Sequence, residues 1–238
     1  MKQYRIAVFI TAFNEEDAVG DVISLIDDSY DIYLIDDGSN DRTPEIAKKK
    51  GAKVISHCLN LGQGMAILTA FRLLAKKNYD IVIEMDGDGQ HDPREISKFI
   101  DKIQETGADV VTGSRIIGSD YKGAPFARRF FHPLLTCILN KLTGYKISDY
   151  MCGFRAYRGT ALKKVEYLFD EIVEPEYMAS ERWIKFANAG FSATEVPIKL
   201  ASRKYGHSKK GLVRFGWGII STIIRSKLDT YKYKYRKK

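Results

Sequence analysis

Apolar residues fall into short runs in the first half of the chain and onto one helical face in the second. Residues 4–10, 32–35, 53–56, 81–85 and 108–112 are brief and rich in Ile, Val, Leu, Phe and Tyr, which predicts five strands. Between them lie helical stretches: one from the Thr11-Ala12-Phe13-Asn14-Glu15-Glu16 turn to about residue 26, then about 44–50, 65–77 and 93–104. Thr43 before Pro44 reads as an N-cap with proline at the first helical position. Strand and helix alternate, so the fold class is α/β, with a mostly parallel sheet and right-handed crossovers.

Farther on, Phe126, Phe130, Phe131, Leu134, Leu135, Ile138, Leu139 and Leu142 share one helical face, with Pro133 as an expected kink. The turn-rich stretch 148–155 leads to a strand, and a helix over about 176–189 carries Glu181. Residues 191–200 predict a strand that Pro197 makes an edge or irregular one. A basic loop, 203–210, precedes a last apolar helix, 212–228. Its uncharged part, residues 215–224, is far short of the roughly 20 residues a bilayer span needs. Neither this helix nor the one at 126–142 crosses a membrane alone. Each either lies in a membrane interface, apolar face down, or packs on the sheet; the last helix has a second copy or a membrane-protein partner as further alternatives.

The chemistry gathers where strands end, and ligands of parallel sheets bind beyond those carboxyl ends. Asn14 and Glu15 follow the first strand, Asp36 and Asp37 the second, Asp86 and Asp88 the fourth. Two carboxylates one residue apart repel unless a cation lies between them, and hard oxygen donors suit Mg²⁺ or Mn²⁺. Gly87 and Gly89 leave room for backbone and ligand. A calcium loop is excluded, because His91 stands where its glycine belongs and Ser97 where its bidentate glutamate belongs. The glycine-rich fingerprints of dinucleotide and P-loop sites are missing as well.

Charge adds an asymmetry. The chain carries +8 in all, yet residues 203–238 hold twelve Lys or Arg against Asp229 alone, a net +11. A basic tail on a near-neutral body points to an anionic partner such as a membrane surface or a phosphorylated substrate. No nucleic-acid recognition module accompanies it, so nucleic acid is not the expected partner. Cys58, Cys137 and Cys152 are too few and too scattered for a disulfide framework or a zinc site, which suits a reducing interior. The N-terminus runs straight into a strand, with no signal peptide expected.

These motifs together, Thr11-Ala12-Phe13-Asn14-Glu15, Asp36-Asp37-Gly38-Ser39, Asn60-x-Gly62-x-Gly64, Asp86-x-Asp88-x-Gln90-His91 and Gly113-Ser114-Arg115, resemble those of family 2 glycosyltransferases of the GT-A fold. Ser148-Asp149, Gly153-Phe154-Arg155, Glu181, Glu195-Val196-Pro197-Ile198, Arg203, Gly206, Ser208 and Lys209 are similar to dolichol-phosphate mannose synthases and other polyprenyl-phosphate glycosyltransferases. The resemblance implies a catalytic domain over residues 1–210 and a basic amphipathic helix and tail over 211–238. It implies a nucleotide-sugar donor, GDP-mannose first and a UDP-sugar second, and a polyprenyl-phosphate acceptor, with a glycan or protein hydroxyl as the alternative acceptor. It places Ala12, Asn14, Glu15, Asp36, Asp37, Gly64, Gly87 and Lys209 around the donor. Asp86, Asp88 and Gln90 would hold Mg²⁺ or Mn²⁺. Arg115, Arg129, Ser148 and Arg203 would gather the acceptor phosphate and leaving diphosphate. Asp149 and Glu181 are left as a base, as sugar-hydroxyl contacts or as structural hydrogen-bonding groups. The protein is then expected on the cytoplasmic face of a membrane, peripherally bound. Gln63 stands where many relatives carry lysine, which bears on donor choice. A non-catalytic nucleotide-sugar-binding or membrane-binding subunit is the competing class, and the intact Asp86/Asp88 pair speaks against it.

Overall fold

A computed structural model describes residues 4–118, 126–168 and 178–201. Seven strands form one sheet: β1 (Ile6–Ala12), β2 (Asp31–Asp36), β3 (Lys53–Ser56), β4 (Ile81–Asp86), β5 (Val110–Ser114), β6 (Arg155–Arg158) and β7 (Ala193–Pro197). Their order is β3-β2-β1-β4-β6-β5-β7. β6 runs antiparallel to β4 and β5, and the other pairs are parallel. The sheet is mostly parallel, as expected. β6 follows a long connection after β5 and lies between β4 and β5, running opposite to both.

The helices cover both faces. They are α1 (Val19–Ser24), α2 (Thr43–Lys49), α3 (Gln63–Ala75), α4 (Ile96–Thr106), α5 (Arg115–Gly118), α6 (Phe126–Thr143), α7 (Gly159–Leu168) and α8 (Met178–Asn188). Because strand side chains alternate, β1 supplies both cores. Ala7 and Phe9 meet α3, α6, α7 and α8 through Phe71, Leu139, Leu162 and Trp183. Ile6, Val8 and Ile10 meet α1, α2 and α4 through Val22, Ala47 and Phe99. A strand buried on both faces is apolar throughout, which is why β1 and β4 read as continuous runs. On α4, Ile96, Phe99, Ile100 and Ile103 recur at helical spacing and are all buried, each contributing about 2 kcal/mol of transfer free energy.

Several boundaries differ from the sequence reading. The first helix is only Val19–Ser24, because residues 14–18 make a turn anchored to the next loop. Thr43 is not an N-cap. It is the first residue of α2, and Arg42 stands at the cap position. The Thr43 hydroxyl instead bonds Asp41 Oδ1 at 2.5 Å and accepts the Glu15 amide at 2.8 Å. Pro93–Glu95 is a 3₁₀ turn that precedes α4. β5 runs on through Gly113 and Ser114, since β7 pairs with both. β7 is an edge strand, where Pro197 is tolerated. The apolar face of α6 is in part core: Leu139 is buried, and Leu135 and Leu142 pack against the same cluster, whereas Leu134 is exposed. Residues 211–238, with the expected membrane-surface helix, lie outside the described residues.

Candidate active site

Parallel pairing in register brings the strand ends level. Ala12 pairs with Asp36, and Thr11 with Asp86. The first wall of the site is a set of interlocked turns. Asn14 adopts φ +54°, a left-handed conformation that asparagine tolerates. Its amide donates to Ser39 Oγ at 2.9 Å, and its Oδ1 accepts the Asn40 amide at 2.9 Å. The Glu15 amide is held by Thr43, and Asp36 Oδ1 accepts the Ser39 amide at 3.1 Å. Asp37 is buried and turned toward the chain itself. Its carboxylate accepts from His57 Nδ1 at 2.8 Å, the Leu61 amide at 3.0 Å and the Gly62 amide at 2.8 Å. Asp37 thus fixes the loop that starts α3, where Gly64 lies buried in the first turn.

The acidic pair comes next. Gly87 has no Cβ, and one built there would lie 3.0 Å from Ala12 Cβ, so glycine allows the β1 and β4 ends to close together. Asp86 Oδ1 accepts from Gln63 Nε2 at 2.7 Å and weakly from Thr11 at 3.4 Å. A Cβ at Gly153 would collide with the other carboxylate oxygen. Burial, and then the charge of Glu84, push the Asp86 carboxyl above its ordinary range, against the pull of Arg155 and the two hydrogen bonds. A carboxylate in that state gains from a cation. Asp88 Oδ1 accepts the Gln90 amide at 3.0 Å, and Gln90 reaches the Ala201 carbonyl at 3.4 Å. Among the described residues, no three His, Cys, Asp or Glu are grouped to hold a metal. Two hard carboxylates fit Mg²⁺ or Mn²⁺ of the kind that completes its shell with water and substrate phosphates. His91, beside them, is buried against Phe154, and its imidazole is pushed down to about 4 by that burial.

A third cluster forms from β5, α5, α6 and the loop before β6. Asp149, fully buried, takes Arg115 in a two-pronged bond, Nε at 2.6 Å and Nη2 at 2.8 Å, and His132 Nε2 at 3.1 Å. Burial alone would raise its carboxyl, but the Arg115 and His132 hydrogen bonds outweigh that and hold it well below the usual carboxylate range. Of the alternatives open for Asp149, these bonds fit that of a structural hydrogen-bonding group, here one that holds the Arg115 guanidinium. Ser148 Oγ lies 2.6 Å from Ser114 Oγ and donates to Glu195 Oε2 at 2.9 Å. Glu181 is buried on α8 with Lys185 Nζ 2.7 Å away. Arg129 falls within α6, and Arg203 and Lys209 lie outside the described residues.

The sequence reading missed the groups beneath the acidic pair. Glu84, buried mid-strand, accepts from Arg155 at 2.9 Å, from Arg182 at 2.6 Å and from the Tyr157 hydroxyl. Burial opposes its ionisation, but the two guanidiniums prevail and lower its carboxyl. A lone glutamate in an otherwise apolar strand was the available signal, since a buried charge requires partners.

The glycosyl transferase family 2 pattern matches residues 7–166, which contain both the Asp86/Asp88 pair and the Arg115–Asp149 clamp. The chain belongs to this family. A dolichyl-phosphate hexose transferase of Haloferax volcanii is 33% identical over 94% of this chain and 94% of its own length. A UDP-N-acetylglucosamine–dolichyl-phosphate N-acetylglucosaminyltransferase of Methanococcus voltae is 30% identical over 94% of this chain and 96% of its own. Among solved structures, glucosyl-3-phosphoglycerate synthase of Mycobacterium tuberculosis, in complex with Mn²⁺, UDP and phosphoglyceric acid, superposes with a TM-score of 0.67 at 22% identity, covering 94% of this chain and 78% of that one. This family 2 glycosyltransferase therefore has the GT-A fold, and the expected resemblance to the polyprenyl-phosphate enzymes stands. Among its described residues no helix is long and apolar enough to cross a membrane.

Proposed function

We propose that the chain transfers a hexose from a nucleoside-diphosphate sugar to a polyprenyl phosphate, with inversion at the anomeric carbon. The observation that carries this reading is the pairing of an acidic couple, Asp86 and Asp88, with an arginine clamped by a buried aspartate, Arg115–Asp149, within a family 2 chain. The couple suits a cation-bound diphosphate, and the guanidinium suits a phosphate that it can meet with a planar fork. Mg²⁺ or Mn²⁺ bound at Asp86 and Asp88, with Gln90 nearby, would neutralise charge on the leaving diphosphate.

A phosphate monoester is already largely ionised at neutral pH, its second pKa being about 6. Its oxygen attacks the anomeric carbon, the bond to the nucleoside diphosphate breaks, and no proton has to be removed first. This agrees with a site in which Asp149 and Glu181 are both committed to cationic side chains. Ala12, Asn14, Glu15 and Asp36 line the wall assigned to the nucleoside. GDP-mannose is the favoured donor and UDP-sugars the alternative, since the names of relatives cover more than one sugar. The basic segment 203–238 would hold the enzyme peripherally on the cytoplasmic face of a membrane.

The test is transfer of radiolabel from GDP-mannose, UDP-glucose and UDP-N-acetylglucosamine to polyprenyl phosphate in detergent with Mn²⁺. An organic-soluble labelled product, lost in Asp88→Asn, is expected with one donor. Absence of product with every donor would overturn the reading. A hydroxyl acceptor would show as activity that survives Arg115→Ala, and a non-catalytic subunit as biological function that survives Asp88→Ala. Binding to vesicles containing anionic lipid, weakened by salt, checks the membrane assignment.

A further inference from the structure

Gln63 is the first residue of α3 and is exposed, yet its carboxamide is aimed at the acidic pair: Nε2 donates to Asp86 Oδ1 at 2.7 Å. On the other side Asp86 Oδ2 fills the space where Gly153 lacks a Cβ. One oxygen of Asp86 is therefore tethered and the other confined. The backbone just ahead of Gln63 is also held. Asp37 takes the amides of Leu61 and Gly62 at 3.0 and 2.8 Å, and His57 Nδ1 at 2.8 Å. The remaining imidazole nitrogen, Nε2, meets Thr69 Oγ1 at 2.9 Å, on the same helix that Gln63 begins. A continuous chain of bonds thus runs from Thr69 through His57 and Asp37 to the 61–62 backbone, and from the next residue, Gln63, to Asp86.

We propose that Gln63 is a positioning residue for the cation-binding carboxylate Asp86, and that the Thr69–His57–Asp37 relay holds it in place, coupling the nucleoside side of the site to the metal side. This rests on the assignment of Asp86 to a divalent cation. A neutral donor suits that role, because a carboxamide fixes the rotamer without adding charge beside the cation. Partners that orient a metal ligand typically alter metal affinity by about 10–100-fold when removed.

The experiment is direct titration of full-length protein with Mn²⁺, read by the electron paramagnetic resonance of free Mn²⁺, with GDP or UDP present and without either. In wild type, Mn²⁺ is expected to bind and Asp86→Asn to abolish binding. Gln63→Ala should weaken Mn²⁺ about tenfold, while thermal unfolding without metal is unchanged. His57→Ala should weaken Mn²⁺ too, although its ring bonds Asp37 and Thr69 and not the acidic pair. The Gln63→Ala/His57→Ala double variant should be no worse than the poorer single one, because both break one chain. If wild type binds Mn²⁺ through Asp86 and Gln63→Ala binds it equally well, the positioning role is wrong and the metal assignment survives. If the two single losses add, the relay is wrong. If Asp86→Asn leaves Mn²⁺ binding intact, the metal assignment itself fails and this inference with it.

Discussion

Gly153 has no side chain, and Asp86 uses the space that absence leaves. A methyl group there would collide with Asp86 Oδ2 and lie 3.0 Å from its Cγ. Gly153→Ala is expected to turn the carboxylate and to lower metal-dependent kcat/KM by about tenfold or more, with a melting temperature close to wild type; a metal titration of activity beside a thermal scan separates the two. Asp149 answers to pH instead. Its folded pKa lies below the unfolded value of about 3.9, so its contribution to stability is present above that value and is lost as pH falls through and below it. Asp149→Asn should therefore flatten the acid limb of the stability–pH curve below about pH 4. At neutral pH the same change removes the buried counter-charge of Arg115, at a cost of order 3 kcal/mol. Denaturant unfolding at several pH values checks both, and a raised KM for polyprenyl phosphate is expected alongside.

Among the elements, α6 is tied to the loop that bears Ser148 and Asp149. Asn140 Nδ2 donates to the Ile147 carbonyl at 3.0 Å, Asn140 Oδ1 accepts the Ile147 amide at 3.1 Å and the Tyr150 hydroxyl at 2.7 Å. Ser148 and Asp149 lie between those anchor points. Asn140→Ala removes all three bonds, so a loss of about 2–3 kcal/mol and a raised KM for polyprenyl phosphate are expected; equilibrium unfolding and acceptor kinetics measure them. α4 offers the contrast. It ends at Gly107 with φ +63°, whose amide closes the helix on Ile103 at 2.8 Å. Gly107→Ala should cost about 1 kcal/mol and leave transfer kinetics unchanged, because the strain is local to the cap.

At the scale of the molecule, β4 carries two kinds of carboxylate. Asp86 stands at its end, open to a cation, and Glu84, two residues earlier, lies closed inside with Arg155 and Arg182. Period-two alternation puts both on one face of the sheet, so the buried network underlies the site. Arg155 comes from β6 and Arg182 from α8, which ties three distant segments together. Glu84→Gln leaves two guanidiniums buried without their counter-charge, and a loss of about 3–5 kcal/mol is expected from chemical denaturation. Tyr157→Phe, which removes one hydrogen bond and no charge, should cost about 1 kcal/mol.

The amino-acid order by itself determined the alternation of strand and helix, the double-sided burial of β1 and β4, and the gathering of Asn14, Asp36, Asp86 and Asp88 at one edge. All of these follow from local hydrophobic period and from the rule that parallel strands share a carboxyl end. The resemblance to family 2 enzymes added Arg115 and Ser148 to the residues of interest. Partnership was another matter. That Asp37 holds a loop, that Asp149 orients Arg115, that Gln63 faces Asp86 and that β6 runs backwards depend on contacts between residues far apart in the chain. A hydrogen bond between distant segments leaves no periodicity to read, and the charge of a side chain does not say which neighbour will neutralise it. Only the folded arrangement decided those pairings, and with them which carboxylates stay open to a ligand.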